Sequence, residues 1–451
     1  MRAASRPIAA SVQKRLYATR LAEHQEASRV SLPKQSAQIT RLNNGALVTS
    51  LENYAPIAHI SILFKAGTRN ESYENLGVCH ALRTGAALST QNVTQFGLTR
   101  NLQQLGADLT CTTTREHVCY SLQADRDKLT QAFQFLGEAA FMQNFKRWEV
   151  KDRVPDYLNL DLGRLDLDYN TRVIELLHTA AYRRTLANSL YIDRNRISGI
   201  NHEMMTSYAK DMFTAGDLIV SGVGVDHKDL VKLTQSMNVT GTAKKPQEAV
   251  FYGGEQRVDI PGEFTFAALA TKSSSIGDKE YFATLVLQRI LGVGPHMKYS
   301  NTGKLQDAAS KAAKSPVQVS SMNLVYSDSG LFGVQAVAKS ADIASVLKAT
   351  TEQIGQVASG SVSAEALETA KRSVKSTMWM ELESSAGLVQ DLALQAAYRG
   401  ALMEPAEFGK AIDEVDASAV KNVAAQIFKG KPAFAAVGNL SQVPYLDELK
   451  L

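Results

Sequence analysis

The chain has 451 residues, of which 45% are hydrophobic and 21% charged, so it has enough apolar material for folded cores and too little charge for a disordered protein. This length exceeds the roughly 250 to 300 residues that one core usually serves, which predicts two domains or more. No apolar run reaches the roughly 18 residues that span a bilayer, so any membrane contact is expected to be peripheral.

The first seventeen residues differ from the rest of the chain in charge. They contain no acid and four basic side chains, at Arg2, Arg6, Lys14 and Arg15. On a helix, Ile8, Val12 and Leu16 would share one apolar face. This basic amphipathic pattern predicts a mitochondrial transit peptide over residues 1–17, followed by a flexible lead-in over residues 18–38.

The remainder of the chain is electrically neutral. Of 49 basic and 45 acidic side chains, four basic ones lie in the first seventeen residues, which leaves 49 − 4 = 45 against 45. A neutral surface lacks the basic footprint of a nucleic-acid-binding protein, so no nucleic-acid partner is predicted. Low net charge favours association with other proteins.

Predicted elements recur in the same order in two halves of the chain. A strand over 58–66, a polar turn and a helix through His80 open the first half, and a strand over 264–270, a turn and a helix over 279–291 open the second. The later landmarks also match. In the first half a strand pair over 109–123, a helix over 128–141 and an apolar strand over 218–224 follow. In the second half the same elements are predicted over 317–337, 343–357 and 433–438. Four landmarks in register predict a duplication.

The mixture of strands and long amphipathic helices predicts the fold class. We expect an α+β fold of two homologous sandwich domains, with helices packed on mainly antiparallel sheets. The polar stretch that contains Gly241 and Pro246 has little apolar periodicity and predicts the boundary. The expected N-terminal domain covers residues 39–240, a linker covers 241–254, and the C-terminal domain covers 255–451.

The segment Asn75–Gly85 (NLGVCHALRTG), together with the preceding turn Ala66–Arg69 (AGTR), resembles a known family. It is similar to the signature helix of the M16 inverted-zinc peptidases, whose active members carry His-x-x-Glu-His at this place. Segments 177–182 and 326–333 also resemble family segments. The resemblance covers most of residues 39–451 and implies two M16 metallopeptidase-like α/β sandwich domains.

The zinc motif of this chain is degenerate. Zinc hydrolysis needs two imidazoles one helical turn apart, a Glu as general base and a distant carboxylate as third ligand. Only His80 remains, because Arg83 stands at the base position and Thr84 at the second imidazole position. A guanidinium repels a divalent cation and cannot accept a proton at neutral pH, and a Thr hydroxyl is a poor zinc ligand. No catalytic residue and no bound metal are therefore expected.

Two neighbours of the motif do not repair it. Asp161 lies near the place that the resemblance implies for the third ligand, but it would leave one strong nitrogen ligand. Cys79 directly precedes His80 and faces another side of the helix, so we expect a packed thiol there. His80 itself is expected to be a hydrogen-bonded helix histidine.

The glycine loop over 292–296 (GVGPH) is the other candidate site. In the non-catalytic partner of the mitochondrial processing peptidase, a longer glycine-rich loop at the matching place is implicated in capturing presequences. The alternative is that Gly292 caps the helix that ends at Leu291, which is a common use of glycine. Pro295 stiffens the short loop.

No cofactor is predicted. The glycine pairs at 222–224 and 292–294 lack the third glycine of a dinucleotide fingerprint, and no phosphate-binding loop follows a strand. The three cysteines, Cys79, Cys111 and Cys119, can form neither an all-cysteine iron–sulfur site nor a disulfide framework. They are expected to be buried thiols of a reducing compartment.

The resemblance is longest to non-catalytic M16 members that serve as core subunits of the mitochondrial cytochrome bc1 complex, on segments such as 147–150 (RWEV) and 187–191 (ANSLY). It implies a structural, matrix-side role in a dimeric complex of the inner membrane, with core protein 1, cytochrome b, cytochrome c1 and the Rieske protein as partners. Two alternatives stay open: a non-catalytic presequence-binding partner of a processing peptidase, and an active M16 zinc endopeptidase.

Overall fold

The structure is a computed structural model that describes residues 35–294, 303–360 and 362–449. The predicted transit peptide, most of the lead-in, and Pro295 and His296 of the glycine loop lie outside these residues. Among the described helices, none combines the length and apolarity needed to cross a bilayer.

The first half of the chain forms a six-stranded sheet with seven helices among its described residues. Its strands are β1 (Gln38–Arg41), β2 (Leu47–Leu51), β3 (Ile57–Phe64), β4 (Asp108–Thr113), β5 (Val118–Asp125) and β6 (Leu218–Val223). Its helices are α1 (Val78–Thr84), α2 (Gln95–Leu105), α3 (Leu129–Phe141), α4 (Arg147–Leu167), α5 (Tyr169–Ala181), α6 (His202–Met212) and α7 (His227–Ser236).

The second half forms a five-stranded sheet with seven helices in the described ranges. Its strands are β7 (Gly254–Asp259), β8 (Phe264–Ser273), β9 (Gln318–Val325), β10 (Gly330–Lys339) and β11 (Ala433–Gly438). Its helices are α8 (Tyr281–Leu291), α9 (Lys304–Ala312), α10 (Ile343–Ala358), α11 (Ala364–Glu383), α12 (Ser385–Arg399), α13 (Pro405–Asp413) and α14 (Ala417–Lys429).

The two sheets share one topology. The first has the order β1-β2-β6-β3-β5-β4 and the second the order β7-β11-β8-β10-β9. In each sheet one pair is parallel, β2 with β6 or β7 with β11, and the other pairs are antiparallel. Apart from the extra edge strand β1, strand order and sense agree, which confirms the predicted duplicated α+β fold with mainly antiparallel sheets.

Each sheet is covered on one face by helices of its own half. In the first half, Ile60 and Tyr120 of the sheet pack with Phe133 of α3. In the second half, Phe332 and Phe434 pack in one core with residues of α8, α10 and α14. Burial of these apolar faces is the main stabilising contribution to each layer.

The opposite face of each sheet is covered by a helix from the other half. Helix α5 packs on the second sheet, where Leu177 shares a core with Ala435 and Val437 of β11. Helix α12 packs on the first sheet, where Ala393 and Ala396 share a core with Ile219 of β6. Because both faces are covered, β6 and β11 are buried along their whole length and read as continuous apolar runs in the sequence.

Candidate functional site

Helix α1 carries the degenerate zinc motif, and its first turn is held by a carboxylate from outside the helix. Gly77 precedes it with φ at +91°, and a Cβ there would lie 2.5 Å from Ile192 Cγ1, so only glycine fits. Glu71 accepts hydrogen bonds from the backbone N–H of Gly77 at 2.9 Å and of Cys79 at 2.8 Å. The carboxylate therefore satisfies N–H groups that a helix start leaves free.

Glu71 is almost fully buried, with 8% of its surface exposed. Desolvation raises its pKa to about 7, against the opposing effect of the two backbone hydrogen bonds. Glu71 was not predicted from the sequence, although an acidic residue shortly before a helix can indicate a side chain that accepts hydrogen bonds from the first N–H groups of that helix. Its role is to position the helix that holds His80.

His80 is buried, with 1% of its surface exposed, and both of its ring nitrogens are engaged. The backbone N–H of Ile192 donates to Nδ1 at 3.2 Å, which assigns the ring proton to Nε2, and Nε2 lies 3.4 Å from Asp161 Oδ2. Desolvation, and then the charge of Arg83, lower the pKa of His80 to about 4. The imidazole is therefore neutral and has no free lone pair for a metal.

Arg83 occupies the place of the general base and binds the carboxylate that the resemblance implied as third ligand. Its Nη2 donates to Asp161 Oδ2 at 2.8 Å, and Arg164 Nη1 lies 3.4 Å from Asp161 Oδ1. Asp161 thus lies at the motif, as the spacing suggested. Asp161 is therefore paired with guanidinium groups and is not free to bind a cation.

The Thr84 hydroxyl turns back onto its own helix, where it donates to the carbonyl oxygens of His80 and Ala81, each at 3.1 Å. Within the described ranges, no group of three or more His, Cys, Asp or Glu side chains is placed to hold a metal ion. The imidazole of His80 already has hydrogen-bond partners at both nitrogens, Arg83 is a cation, and Asp161 is paired with it. These three side chains therefore do not fit the zinc ion of the active peptidases.

The cysteines are free thiols. Cys79 is buried, with its Sγ 3.3 Å from Tyr208 Oη, and burial raises the pKa of the thiol, which keeps it protonated and unreactive. This agrees with the packed thiol expected at Cys79. The expectation of burial was wrong for Cys111 and Cys119, which are only half-buried, Cys111 on the edge strand β4 and Cys119 on β5.

An open groove of about 580 Å³ runs beside the motif, between helix α4 and the edge strand β4. Its charged lining consists of Arg83 and Arg164 around Asp161. Two guanidinium groups around one carboxylate give the groove a net positive charge, which disfavours a divalent cation.

A second buried ion-pair cluster joins the two halves. The Arg69 side chain is 3% exposed, and its Nη1 lies 2.5 Å from Glu116 Oε1 while its Nη2 lies 2.7 Å from Asp328 Oδ2. Glu116 also accepts hydrogen bonds from the Ser327 backbone and hydroxyl and from Tyr398 Oη. The sequence identified Arg69 only as a family landmark, and its role in joining the halves needed the tertiary structure.

The described part of the glycine loop agrees with a helix cap. Gly292 has φ at +107°, and its N–H donates to the Gln288 carbonyl at 3.0 Å at the end of α8. Pro295 and His296 lie outside the described residues, so presequence capture, the alternative to the helix cap, is not tested by this loop.

Comparison with known families and proteins gives two family matches. Residues 47–194 match the family described as insulinase (peptidase family M16), and residues 199–374 match the peptidase M16 inactive domain. Together the matches span the first sheet except β1, the motif and, apart from β11, the second sheet.

Similar proteins are found over nearly the whole chain. Cytochrome b-c1 complex subunit 2, mitochondrial, of Rattus norvegicus is 35% identical over 424 residues, 93% of this chain and 94% of the relative. The protein of the same name in Homo sapiens is 35% identical over 419 residues, 92% of each chain. Mitochondrial-processing peptidase subunit alpha of Solanum tuberosum is 25% identical over 422 residues, 91% of this chain and 83% of the relative.

Proposed function

The chain belongs to the M16 peptidase family, in the group that contains the cytochrome b-c1 complex subunit 2 proteins, and on this basis we propose that it is a non-catalytic core subunit of mitochondrial ubiquinol–cytochrome c reductase. The observation that carries the non-catalytic part of the proposal is the Arg83–Asp161 ion pair at the degenerate zinc motif. With the base and one imidazole replaced, the motif supplies neither a zinc site nor an activated water.

Its work in the complex is assembly and matrix-side architecture for respiratory electron transport. The partners are core protein 1, cytochrome b, cytochrome c1 and the Rieske protein, in a dimeric complex attached peripherally to the matrix side of the inner membrane. Exposed large side chains on several helices, among them Trp148 and Trp379, support a role in protein association. The net charge of zero beyond residue 17 points the same way.

The N-terminal segment and the domain boundaries belong to the same proposal. Residues 1–17 direct import and are then removed, residues 18–38 lead into the N-terminal domain (39–240), and the linker (241–254) precedes the C-terminal domain (255–451). N-terminal sequencing of the mature chain locates the cut, which we expect after Tyr17.

Co-purification tests the proposal. Mitochondrial membranes are solubilised in a mild detergent, the tagged full chain is captured, and the eluate is run on a native gel and scanned for haem absorbance. We expect the chain in a large haem-containing complex together with core protein 1. A soluble heterodimer of about 100 kDa, the sum of two chains of this size, would contradict the proposal and favour the processing-peptidase alternative.

The distant similarity to processing-peptidase alpha subunits keeps the presequence-binding partner as a second candidate. Metal analysis and peptide cleavage separate both non-catalytic functions from an active peptidase. One tightly bound zinc per chain, with cleavage that a chelator abolishes, would refute a non-catalytic role.

A further inference from the structure

A cavity of about 290 Å³ lies at the seam between the two halves, away from the degenerate motif. The first half contributes Arg41 at the end of β1 and Lys65 after β3, the inter-half stretch contributes Lys244, and the second half contributes Tyr398 of α12. The buried Arg69 forms part of the wall. The cavity is therefore built jointly by both halves and the segment that connects them.

The acidic groups of this cavity already accept hydrogen bonds from protein donors. Glu116 accepts from the Arg69 guanidinium, from the Ser327 backbone and hydroxyl, and from Tyr398 Oη. Asp217 Oδ2 accepts from the Thr214 hydroxyl at 3.1 Å and from the backbone N–H of Lys244 at 3.1 Å. Glu116 therefore has little capacity left to pair with a further cation, whereas both of these donors to Asp217 are on Oδ2 and the charge of Asp217 still acts on Lys65.

The basic groups, in contrast, have no protein acceptor. In the described part of the chain, the side-chain nitrogens of Arg41, Lys65 and Lys244 form no hydrogen bond or ion pair, and all three residues are exposed, so water solvates them and they are open to a ligand. The Nε of Arg69 is buried and has no partner among the described residues. A buried donor without an acceptor costs about 1 to 3 kcal/mol, so an unseen acceptor is expected beside it.

The positive charges also act on one another. Desolvation lowers the pKa of Lys65, the charges of Asp217 and Glu116 act in the opposite direction, and the charge of Arg41 adds a smaller lowering. His117, also in the wall, is neutral because burial lowers its pKa to about 4. Counting the four cations of the wall against Glu116, Asp217 and the Asp328 bound to Arg69 leaves a net charge of 4 − 3 = +1.

We propose that this inter-half cavity binds a phosphate group, either as free phosphate or carried by a small organic molecule. The ammonium groups of Lys65 and Lys244 and the Arg41 guanidinium supply three sets of donors, and Arg69, whose buried Nε–H has no partner among the described residues, lies in the same wall. A carboxylate presents two oxygens, whereas a phosphate presents up to four and carries more charge, so it satisfies this set better. The bound phosphate connects the first half with the inter-half stretch through Lys244.

Isothermal titration calorimetry on the purified full chain tests the site, with inorganic phosphate, glycerol 3-phosphate and acetate as probes at matched ionic strength. We expect saturable binding of a phosphate probe and weaker binding of acetate. Tighter binding of inorganic phosphate identifies the free ion as ligand, and tighter binding of glycerol 3-phosphate identifies a phosphate ester. Absence of saturable binding of both phosphate probes at millimolar concentration overturns the proposal, as does tighter binding of acetate.

Two variants locate the binding in the cavity. Lys65→Gln and Lys244→Gln each remove one charge-assisted contact, and each is expected to weaken phosphate binding roughly tenfold. Lys348→Gln removes the same charge at an exposed position of α10 and is the matched control, expected to bind as the parent chain does. Equal phosphate affinities in all three variants and the parent, with unchanged circular dichroism, would refute this location.

Discussion

Replacement of Arg69 by methionine tests the buried joint between the halves. Arg69 donates to Glu116, to the Ser327 hydroxyl, to the Gln247 carbonyl and to Asp328, at distances from 2.5 to 3.2 Å. Methionine keeps the apolar stem but removes every one of these donors. Loss of one partner of a buried ion pair costs about 3 to 5 kcal/mol, because the other charge stays buried without compensation.

The structure places the expected cost near the lower end of that range. Glu116 keeps three donors after the change, from the Ser327 backbone and hydroxyl and from Tyr398. The Asp328 side chain is 26% exposed and can be hydrated, so it adds at most about 1 kcal/mol. We therefore expect Arg69→Met to lower the free energy of unfolding by about 3 kcal/mol.

Equilibrium urea unfolding measures this loss, read from the transition midpoint at a constant slope. Arg147→Met is the control, because Arg147 pairs with Glu203 on the surface, with side-chain exposures of 76% and 73%, and the change should cost less than about 1 kcal/mol. A double-mutant cycle with Glu116→Gln should give a coupling within the roughly 0.5 to 3 kcal/mol of contacting pairs. Equal costs for Arg69→Met and Arg147→Met would refute the reasoning.

Three further predictions concern the degenerate motif and its helix. The double variant Arg83→Glu, Thr84→His should bind about one zinc ion per chain, measured by metal analysis. The control variant Arg83→Gln, Thr84→Ser should bind none. If the first variant also binds no zinc, His80 and Asp161 are not positioned as ligands. Glu71 has a pKa of about 7 in the folded chain against a usual 4.5, so its protonated form favours folding. The free energy of unfolding of the parent chain, minus that of Glu71→Gln, should therefore be highest below pH 4.5. It should fall by up to about 3 kcal/mol as the pH rises to 7. Urea unfolding at several pH values measures this difference, and a difference that does not change with pH would contradict the prediction. Gly77→Ala should lower the free energy of unfolding by roughly 2 to 4 kcal/mol, because the residue has a positive φ and a Cβ would clash with Ile192. The control Gly277→Ala, which has open space around it, should lower it by less than about 1 kcal/mol in the same thermal or urea unfolding experiment. Similar losses for the two variants would argue against the clash.

Elements with strong local signals were predictable from the sequence. The strand predicted over 433–438 is observed as Ala433–Gly438, and the helix predicted over 279–291 is observed as Tyr281–Leu291. Local pattern also predicted the degenerate site, because the absence of a base and of a second imidazole is a matter of residue type alone. The approach of Asp161 to the motif followed from the family spacing.

Contacts between distant segments were not predictable in the same way. Apolar periodicity indicates that α5 and α12 each have a buried face, but it does not say which sheet covers that face. The same limit applies to Arg69 and Asp328, which are 259 residues apart in the chain. Their pairing depends on how the two halves meet, and one sequence contains no local signal for that.

The exchange of α5 and α12 between the sheets has a consequence for biosynthesis. The apolar face of α5 stays uncovered until β11, near the C-terminus, has been synthesised. One face of the first sheet stays uncovered until α12 has been synthesised. Such distant pairings are slow to form, and chains that expose apolar surface meanwhile are prone to aggregate. A nascent chain of this protein should therefore depend on chaperones until nearly the last residue has emerged.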